Sequence, residues 1–273
     1  MCVTAGTKAA VRTAQRLGLE PDDPYLIQET NNTVVWLRPY SIIAKVGPHN
    51  YSSTTLHHEH EVASALTGVE APIAAPWHGV GLLKDRESGF VVSLWNRHVT
   101  VADAAPRGTD VASSLRVLHG SLARINVPLP SFRDALAHAQ LVASRNEPMA
   151  ALVPDDREFL RRSFAELTHR LDERTYVEQP LHGEPHEGNY LLTQEGIRWI
   201  DFEGACRGPL EWDLAFLSDE SRSEFEGIDR SLLELLMSLN SARVATWCWV
   251  QARFPEMRRH GEHHLALLRA TLS

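Results

Sequence analysis

The sequence predicts an α+β protein with two lobes, a small β-rich N-terminal lobe and a larger, mostly helical C-terminal lobe. Short β-branched and aromatic runs separated by turn residues dominate the first third of the chain. Segments of helical length, with apolar residues three and four apart, fill most of the remainder. The change falls near residue 95, so we expect one lobe over residues 1–95 and the other over residues 96–273.

The N-terminal lobe is predicted to contain a β-hairpin. Residues 33–36 and 41–46 are β-branched and aromatic runs on either side of Arg38-Pro39-Tyr40. The other elements predicted for this lobe are helices over residues 7–19 and 53–66 and strands over residues 77–83 and 90–94. This lobe is therefore rich in strands, with one helix inserted between them.

Helical periodicity resumes after residue 96 and continues to the end of the chain. A short strand pair, residues 190–193 and 197–200, interrupts the helices around the turn Gln194-Glu195-Gly196. The predicted helices include residues 110–124, 132–145, 155–171, 232–249 and 263–272. The C-terminal lobe is therefore mostly helical.

Composition and charge exclude several classes of protein. Hydrophobic residues make up 43% of the 273 residues and charged residues 23%, which is typical of a globular protein and not of a disordered chain. The 27 Lys and Arg residues against 35 Asp and Glu residues give a net charge of −8, which argues against a nucleic-acid partner. No secretory signal is visible, and no apolar run approaches the ~20 residues that a membrane helix needs. Cys2, Cys206 and Cys248 have neither disulfide-framework nor zinc-ribbon spacing, so we expect a soluble cytoplasmic protein.

The densest chemical signal is the segment Leu181-His182-Gly183-Glu184-Pro185-His186-Glu187-Gly188-Asn189, which precedes Ile200-Asp201-Phe202-Glu203. Phosphoryl transfer from a nucleotide needs one carboxylate at the acceptor hydroxyl, with an amide oxygen and a second carboxylate holding Mg²⁺. The hairpin between Asn189 and Asp201 can bring both of these ligands to one site. The spacing therefore predicts a magnesium site at Asn189 and Asp201, with Glu184 near the acceptor hydroxyl.

Lys45 stands in the middle of the apolar run of residues 42–46, and the chain has only two other lysines. A buried ammonium needs an anionic partner, because an unpaired one is costly to remove from water. Glu59 and Glu61, on the helix predicted over residues 53–66, are both available. The sequence therefore predicts a buried ion pair and leaves its acidic partner open.

Each of these features has a simpler interpretation on its own. Lys45 alone would suit an edge strand with its ammonium in water, and Asp201 alone would suit a turn. His182 and His186 are four apart, but a metalloprotease needs a helical H-E-x-x-H, and Pro185 argues against a helix here. The order of the features along the chain favours a nucleotide site, and a metal-dependent hydrolase stays open as another hypothesis.

Residues 181–215 resemble the aminoglycoside phosphotransferase and choline kinase-like family. The loop of that family is typically H-G-D-x-H-x-x-N followed by I-D-F/W-E, and residues 208–215 match its G-x-x-x-x-D-L-A segment, whose aspartate, here Asp213, supports the loop. The resemblance implies a two-lobed protein-kinase-like fold with the nucleotide in the cleft between the lobes. It also implies transfer of the γ-phosphate of ATP or GTP to a hydroxyl of a small acceptor, such as an aminoglycoside or a similar antibiotic. We expect a monomer or a homodimer.

The resemblance assigns nucleotide-binding roles to residues of the N-terminal lobe. In kinase-like folds the strand lysine, here Lys45, contacts the α- and β-phosphates and pairs with a helix glutamate. Glu59 matches the family's glutamate better than Glu61 does. The remaining contacts implied are those of a phosphate-covering turn and of a linker that meets the purine: Asn31, Asn32, Thr33, Ser93, Leu94 and Trp95.

One position departs from the family pattern, because Glu184 stands where the family has its catalytic aspartate. The resemblance makes Glu184 the catalytic base, with His182 bracing the catalytic loop. The additional methylene moves the carboxylate by about one bond length, and a displacement of ~1 Å costs on the order of a hundredfold in rate. This departure leaves two hypotheses for the nucleotide site, a small-molecule kinase and, as the alternative, a nucleotide-binding pseudokinase.

Overall fold

A computed structural model describes residues 4–29, 32–47, 53–101, 104–147 and 149–272, and of Ser53 only the backbone. The chain divides into two compact units. The first comprises Met1–Pro128 and His186–Ala205, and the second comprises Leu129–Pro185 and Cys206–Ser273. The first unit thus extends past residue 95, and the lobe boundary predicted there stays a prediction.

A five-stranded antiparallel sheet forms the centre of the first unit, and its strands lie side by side in the order first, second, third, fifth and fourth along the described chain. The predicted hairpin is confirmed by the pairing of the second strand with the third. The strands are β1 (Asp23–Glu29), β2 (Thr33–Arg38), β3 (Ile42–Gly47), β4 (Leu83–Lys84) and β5 (Val91–Asn96). The strand expected over residues 77–83 was wrong, because a short 3-10 turn with positive φ at His78 and Gly79 replaces it.

Helix α1 (Ala5–Gln15) packs on this sheet through small side chains. Ala9, Ala10 and Ala14 are fully buried in one apolar cluster with side chains of β2, β3 and β5. At Gly6 a β-carbon would overlap the Thr33 side chain, so only glycine permits this close approach. These small side chains therefore let α1 pack closely against β2, β3 and β5.

The rest of the first unit consists of two helices and a second hairpin. These elements are α2 (Ser53–Thr67), α3 (Gly108–Leu122), β7 (Tyr190–Thr193) and β8 (Gly196–Trp199). The hairpin is held against α3 by a hydrogen bond from Trp199 Nε1 to Ser114 Oγ of 2.9 Å. Asn189 directly precedes this hairpin and Asp201 follows shortly after it, so the position of the hairpin also determines where these two residues lie.

The second unit is mostly helical and has its own apolar core. Its elements are α4 (Phe132–Ala143), α5 (Pro154–Asp172), β6 (Gln179–Leu181), β9 (Cys206–Gly208), α6 (Leu210–Leu214), α7 (Asp219–Ser223), α8 (Arg230–Val250) and α9 (Pro255–Leu272). Side chains of α4, α5, α8 and α9 form one buried cluster. Together with the sheet of the first unit, these helices confirm the predicted α+β class. Among the described residues, no helix combines the length and apolarity that crossing a membrane requires.

Candidate active site

Lys45 and Glu59 form a buried ion pair in the first unit. Lys45 lies on β3, and its Nζ is 2.9 Å from both carboxylate oxygens of Glu59 on α2. Both residues are buried. Glu61, the other acidic candidate, is exposed, so Glu59 is the partner of Lys45 in this structure.

Two further carboxylates reach the same ammonium. Lys45 Nζ lies 3.1 Å from Asp201 Oδ1 and 2.8 Å from Glu203 Oε1. Asp201 has left-handed backbone angles, φ 64° and ψ 65°, which are uncommon outside glycine and recur at functional sites. We call Glu59, Asp201 and Glu203 the carboxylate cluster.

The carboxylate cluster carries more negative charge than Lys45 can balance. Burial by itself lowers the pKa of Lys45, but the carboxylates of Glu59, Asp201 and Glu203 outweigh burial, and the pKa is raised. Burial raises the pKa of Glu59, and the attraction of Lys45 offsets this only in part. One ammonium against three carboxylates leaves an excess of two negative charges, which a bound proton or a cation would reduce.

The oxygen donors of the cluster fit a hard divalent cation such as Mg²⁺. One carboxylate oxygen from each of its three residues lies within 4.8 Å of the others. The side chain of Glu59 is 3% exposed and committed to Lys45, whereas Asp201 is 40% and Glu203 24% exposed. An entering ion would therefore meet Asp201 and Glu203 first.

Asn189, the other predicted metal ligand, is buried at the end of a short 3-10 turn. The backbone carbonyl oxygen of Asn189 accepts a hydrogen bond of 3.0 Å from the backbone N–H of Ile200, the residue before Asp201. This backbone bond brings the two predicted ligands to the same end of the β7–β8 hairpin. The role of Asn189 as a ligand stays a prediction.

The predicted phosphate-covering turn is only partly described. Asn31 lies outside the described residues, and Thr33 begins β2. Asn32 Nδ2 donates a hydrogen bond of 2.9 Å to Glu203 Oε1. This turn therefore touches the carboxylate cluster through Glu203.

The residues predicted to meet a purine lie inside β5. Ser93 pairs with Lys45 in the antiparallel ladder, and Leu94 and Trp95 follow it. All three side chains are buried, and Trp95 Nε1 donates a hydrogen bond of 2.8 Å to Ser93 Oγ. A purine contact from this segment would therefore use its backbone groups, and that contact stays a prediction.

In the second unit, the loop that contains Glu184 is held by Asp213. Asp213 is fully buried, and its carboxylate accepts hydrogen bonds from the backbone N–H groups of His182 at 3.0 Å and Gly183 at 2.8 Å. Gly183 has φ +88°, a conformation that favours glycine. His182 is also fully buried, and its Nδ1 accepts a hydrogen bond of 3.3 Å from the backbone N–H of Glu184. His182 therefore contacts the loop within the second unit, and its bracing role stays a prediction.

Glu184 itself forms an ion pair that the sequence pattern did not indicate. Its Oε1 lies 2.5 Å from Nη1 of Arg243, in the middle of α8. The Arg243 side chain is 10% exposed, and that of Glu184 is 34% exposed. A buried arginine in the mostly apolar segment of residues 232–249 was the available signal, similar to but weaker than the one that singled out Lys45.

Comparison with solved structures identifies the fold. Choline kinase LicA from Streptococcus pneumoniae is similar, with a TM-score of 0.70 and 14% identity over 97% of this chain and 98% of that one. An amicoumacin kinase, hAmiN, solved in complex with AMP-PNP, Ca²⁺ and Ami, gives a TM-score of 0.68 and 14% identity over 93% and 92% of the chains. The GDP complex of aminoglycoside 2'-phosphotransferase-IIIa gives 0.66 and 13% identity over 97% and 98%. At these identities the likeness shows a shared kinase-like fold.

Sequence comparison identifies the family. A search of curated protein sequences gives no match. The model of the phosphotransferase enzyme family, APH, matches residues 25–262, which include β2 through α8 and all the site residues described above. The chain therefore belongs to the APH phosphotransferase enzyme family, whose members are small-molecule kinases that act on hydroxyl groups.

Proposed function

We propose that this protein transfers the γ-phosphate of Mg²⁺-bound ATP or GTP to a hydroxyl group of a small molecule. The observation that carries this proposal is the buried Lys45–Glu59 ion pair beside Asp201 and Glu203. A purely structural ion pair needs one carboxylate for one ammonium. The two additional carboxylates make a site that gains from a divalent cation and its bound phosphates.

The residue roles follow from this chemistry. Lys45, oriented by Glu59, contacts the α- and β-phosphates. Asn189 and Asp201 hold Mg²⁺, which neutralises phosphate charge when it is bound.

The transfer step assigns Glu184 as the base. The acceptor oxygen forms a bond to the γ-phosphorus while the bond from that phosphorus to the β–γ bridging oxygen breaks. The nucleoside diphosphate leaves with the electron pair, and the hydroxyl proton passes to the Glu184 carboxylate. The substrates are thus an alcohol and a nucleoside triphosphate, and the products are a phosphate ester and a nucleoside diphosphate.

An aminoglycoside or a similar antibiotic is the acceptor class that the relatives suggest. The names of the similar structures mention choline kinase, an amicoumacin kinase and an aminoglycoside phosphotransferase. Their nucleotides are AMP-PNP in one complex and GDP in another. Both ATP and GTP therefore belong in the first binding experiment, and the acceptor screen includes amino alcohols beside antibiotics.

A nucleotide-binding pseudokinase is the second candidate, and the specific observation in its favour is Glu184. This residue replaces the family's aspartate, and its carboxylate is paired with Arg243. A Glu184→Asp variant separates the two candidates. A wild type that transfers phosphate faster than the variant supports the kinase, whereas transfer by the variant alone supports a pseudokinase.

Thermal unfolding with and without Mg²⁺-ATP and Mg²⁺-GTP tests the nucleotide site. Ligand at about 100 times its dissociation constant stabilises by roughly 2.7 kcal/mol, which corresponds to about 5 °C in a chain of this size. The test variant is Asp201→Asn, because asparagine tolerates the left-handed backbone of this position better than alanine does. Asp219→Asn, at a highly exposed aspartate, is the matched control.

The proposal predicts a Mg²⁺-dependent shift in the wild type and in Asp219→Asn, and a much smaller shift in Asp201→Asn. An equal shift in all three proteins would place the nucleotide away from the carboxylate cluster. No shift with either nucleotide would contradict the proposed function.

A further inference from the structure

Glu184 is held at both of its ends by residues of the second unit. Its backbone N–H donates to His182 Nδ1, and its carboxylate contacts Arg243 Nη1 at 2.5 Å. His182 is fully buried and Arg243 is buried, so both anchors are packed inside the second unit. A side chain tied at its backbone and at its carboxylate has a narrow range of positions.

Arg243 is itself fixed by aromatic packing. Its guanidinium carbon lies 5.8 Å from the ring centre of Trp212 and 5.3 Å from that of Phe216. Such contacts favour a cation over an aromatic face. Trp212 directly precedes Asp213, the residue that holds the loop at His182 and Gly183. Trp212, which packs on Arg243, and Asp213, which holds the loop, are therefore neighbouring residues of α6, and Phe216 follows that helix.

The guanidinium of Arg243 makes few hydrogen bonds inside the second unit. Among the residues that the structure describes, Arg243 Nε is buried and has no hydrogen-bond partner. A buried unsatisfied donor is unfavourable, and apolar side chains fill most neighbouring positions on this helix. The contact with Glu184 is therefore the polar interaction that accounts for an arginine at position 243.

We propose that Arg243 is a positioning residue that holds the Glu184 carboxylate where it serves as the base, an inference that rests on the function proposed above. An aspartate at position 184 would be one methylene shorter, by about 1.5 Å, and its carboxylate would lose this contact. The glutamate that departs from the family pattern and the arginine buried in α8 thus act as one unit. In this role Arg243 acts on the reaction through the Glu184 carboxylate.

The test uses water as the phosphate acceptor, so no acceptor has to be known. A water oxygen forms a bond to the γ-phosphorus of Mg²⁺-ATP while the bond to the β–γ bridging oxygen breaks, ADP leaves with the electron pair, and Glu184 takes a water proton. Release of inorganic phosphate is measured for the wild type, Arg243→Met, Arg243→Lys, Glu184→Gln and the double variant Glu184→Gln/Arg243→Met. Melting temperatures verify that each protein is folded.

A positioning role predicts a specific pattern in these rates. Arg243→Met lowers kcat at least tenfold and leaves KM for Mg²⁺-ATP within twofold, because misplacing the base weakens the chemical step and not nucleotide binding. Arg243→Lys, which keeps the charge without the planar guanidinium, recovers part of kcat. The double variant has a kcat within twofold of Glu184→Gln alone, since Arg243 acts only through Glu184.

Arg133→Met is the matched control for the loss of a paired arginine in the second unit. Arg133 lies on α4, 2.6 Å from Asp172, and also donates to Tyr176. This variant lowers the melting temperature and leaves kcat within twofold of the wild type. It separates a loss of stability from a loss of positioning.

Three outcomes would overturn the inference while the proposed function stands: an unchanged or raised kcat in Arg243→Met, equal loss in kcat and in nucleotide affinity, or a double variant whose loss is the product of the single losses. A wild type that binds Mg²⁺-ATP but releases no phosphate would overturn the inference and favour the pseudokinase. A wild type that shows neither binding nor turnover would overturn the proposed function, and the inference with it.

Discussion

Replacing Glu59 by glutamine is expected to change how the stability of the protein depends on pH. The Glu59 carboxylate is buried, and both of its oxygens lie 2.9 Å from Lys45 Nζ, with Asp201 and Glu203 nearby. Burial and the neighbouring carboxylates raise its pKa above the ordinary value of 4.5. Glutamine keeps an oxygen that accepts from Lys45 and removes the titrating group.

The sign and the size of the effect follow from proton linkage. A carboxyl whose pKa is raised in the folded state binds a proton there that the unfolded chain has released, so the native state binds more protons above pH 4.5. One additional proton gives a fall in the free energy of unfolding of about 1.4 kcal/mol per pH unit. Between pH 5 and pH 7 the wild type therefore loses about 3 kcal/mol that Glu59→Gln does not lose. The extra proton belongs to the carboxylate cluster as a coupled group.

Urea unfolding from pH 5 to pH 8 in metal-free buffer measures this difference. Groups outside the cluster titrate alike in both proteins, so they cancel when one curve is subtracted from the other. Glu61→Gln is the matched control, since it makes the same change at an exposed position two residues along α2 and should follow the wild type. Parallel curves for the wild type and Glu59→Gln would refute both the raised pKa of Glu59 and the additional proton of the carboxylate cluster.

Three other changes test the remaining ionic contacts. Mg²⁺ should raise the melting temperature of the wild type more at pH 8 than at pH 6, because the ion replaces the proton of the carboxylate cluster; an equal rise would contradict this. Asp213→Asn should cost about 2 kcal/mol in urea unfolding, because it removes the charge that accepts from His182 and Gly183; a loss below about 0.5 kcal/mol would count against that anchoring. The guanidinium of Arg12 and the hydrogen bonds of Ser88 lower the pKa of Asp85, so Asp85→Asn should lower the free energy of unfolding at pH 7. The difference in this free energy between the wild type and the variant should shrink as the pH falls below 3.8, and a constant difference would argue against the ion pair.

The elements that could be predicted from the sequence are those in which the pattern of apolar and polar residues matches the pattern of buried and exposed positions. β2 and β3 are central strands, and their β-branched residues alternate or run together as burial on a sheet requires. β1 escaped prediction because it is an edge strand, mostly exposed, and begins with Asp23-Pro24. This strand forms because it pairs with β2, and its own residues do not favour a strand.

The candidate site likewise has one part that the sequence predicts and one part that it does not. Lys45 could be singled out because an ammonium inside an apolar strand demands a partner, and the family pattern favours Glu59 over Glu61. The approach of Glu203 to the same ammonium depends on the turn after β8, where Asp201 adopts left-handed angles. No spacing rule gives the direction of that turn. The sequence therefore predicts an ion pair but not the carboxylate cluster.

Arg243 carries the same kind of signal as Lys45. A buried arginine in the mostly apolar segment of residues 232–249 requires an anion as much as a lysine in a strand does. Its partner lies 59 residues away along the chain, so the helix pattern alone cannot identify it. The unusual glutamate at position 184 and the unusual arginine at position 243 gain an explanation only when they are considered as a pair.

This pairing also bears on the charge of the acceptor. The Glu184 carboxylate is joined to the guanidinium of Arg243, so the pair carries no net charge. A neutral pair attracts a cationic amine far less than a lone carboxylate does, because the two fields largely cancel beyond a few ångströms. If Glu184 is the base, selection of a cationic antibiotic over a neutral alcohol would then depend on other acidic residues. The acceptor screen should therefore give neutral sugars and amino alcohols the same weight as aminoglycosides.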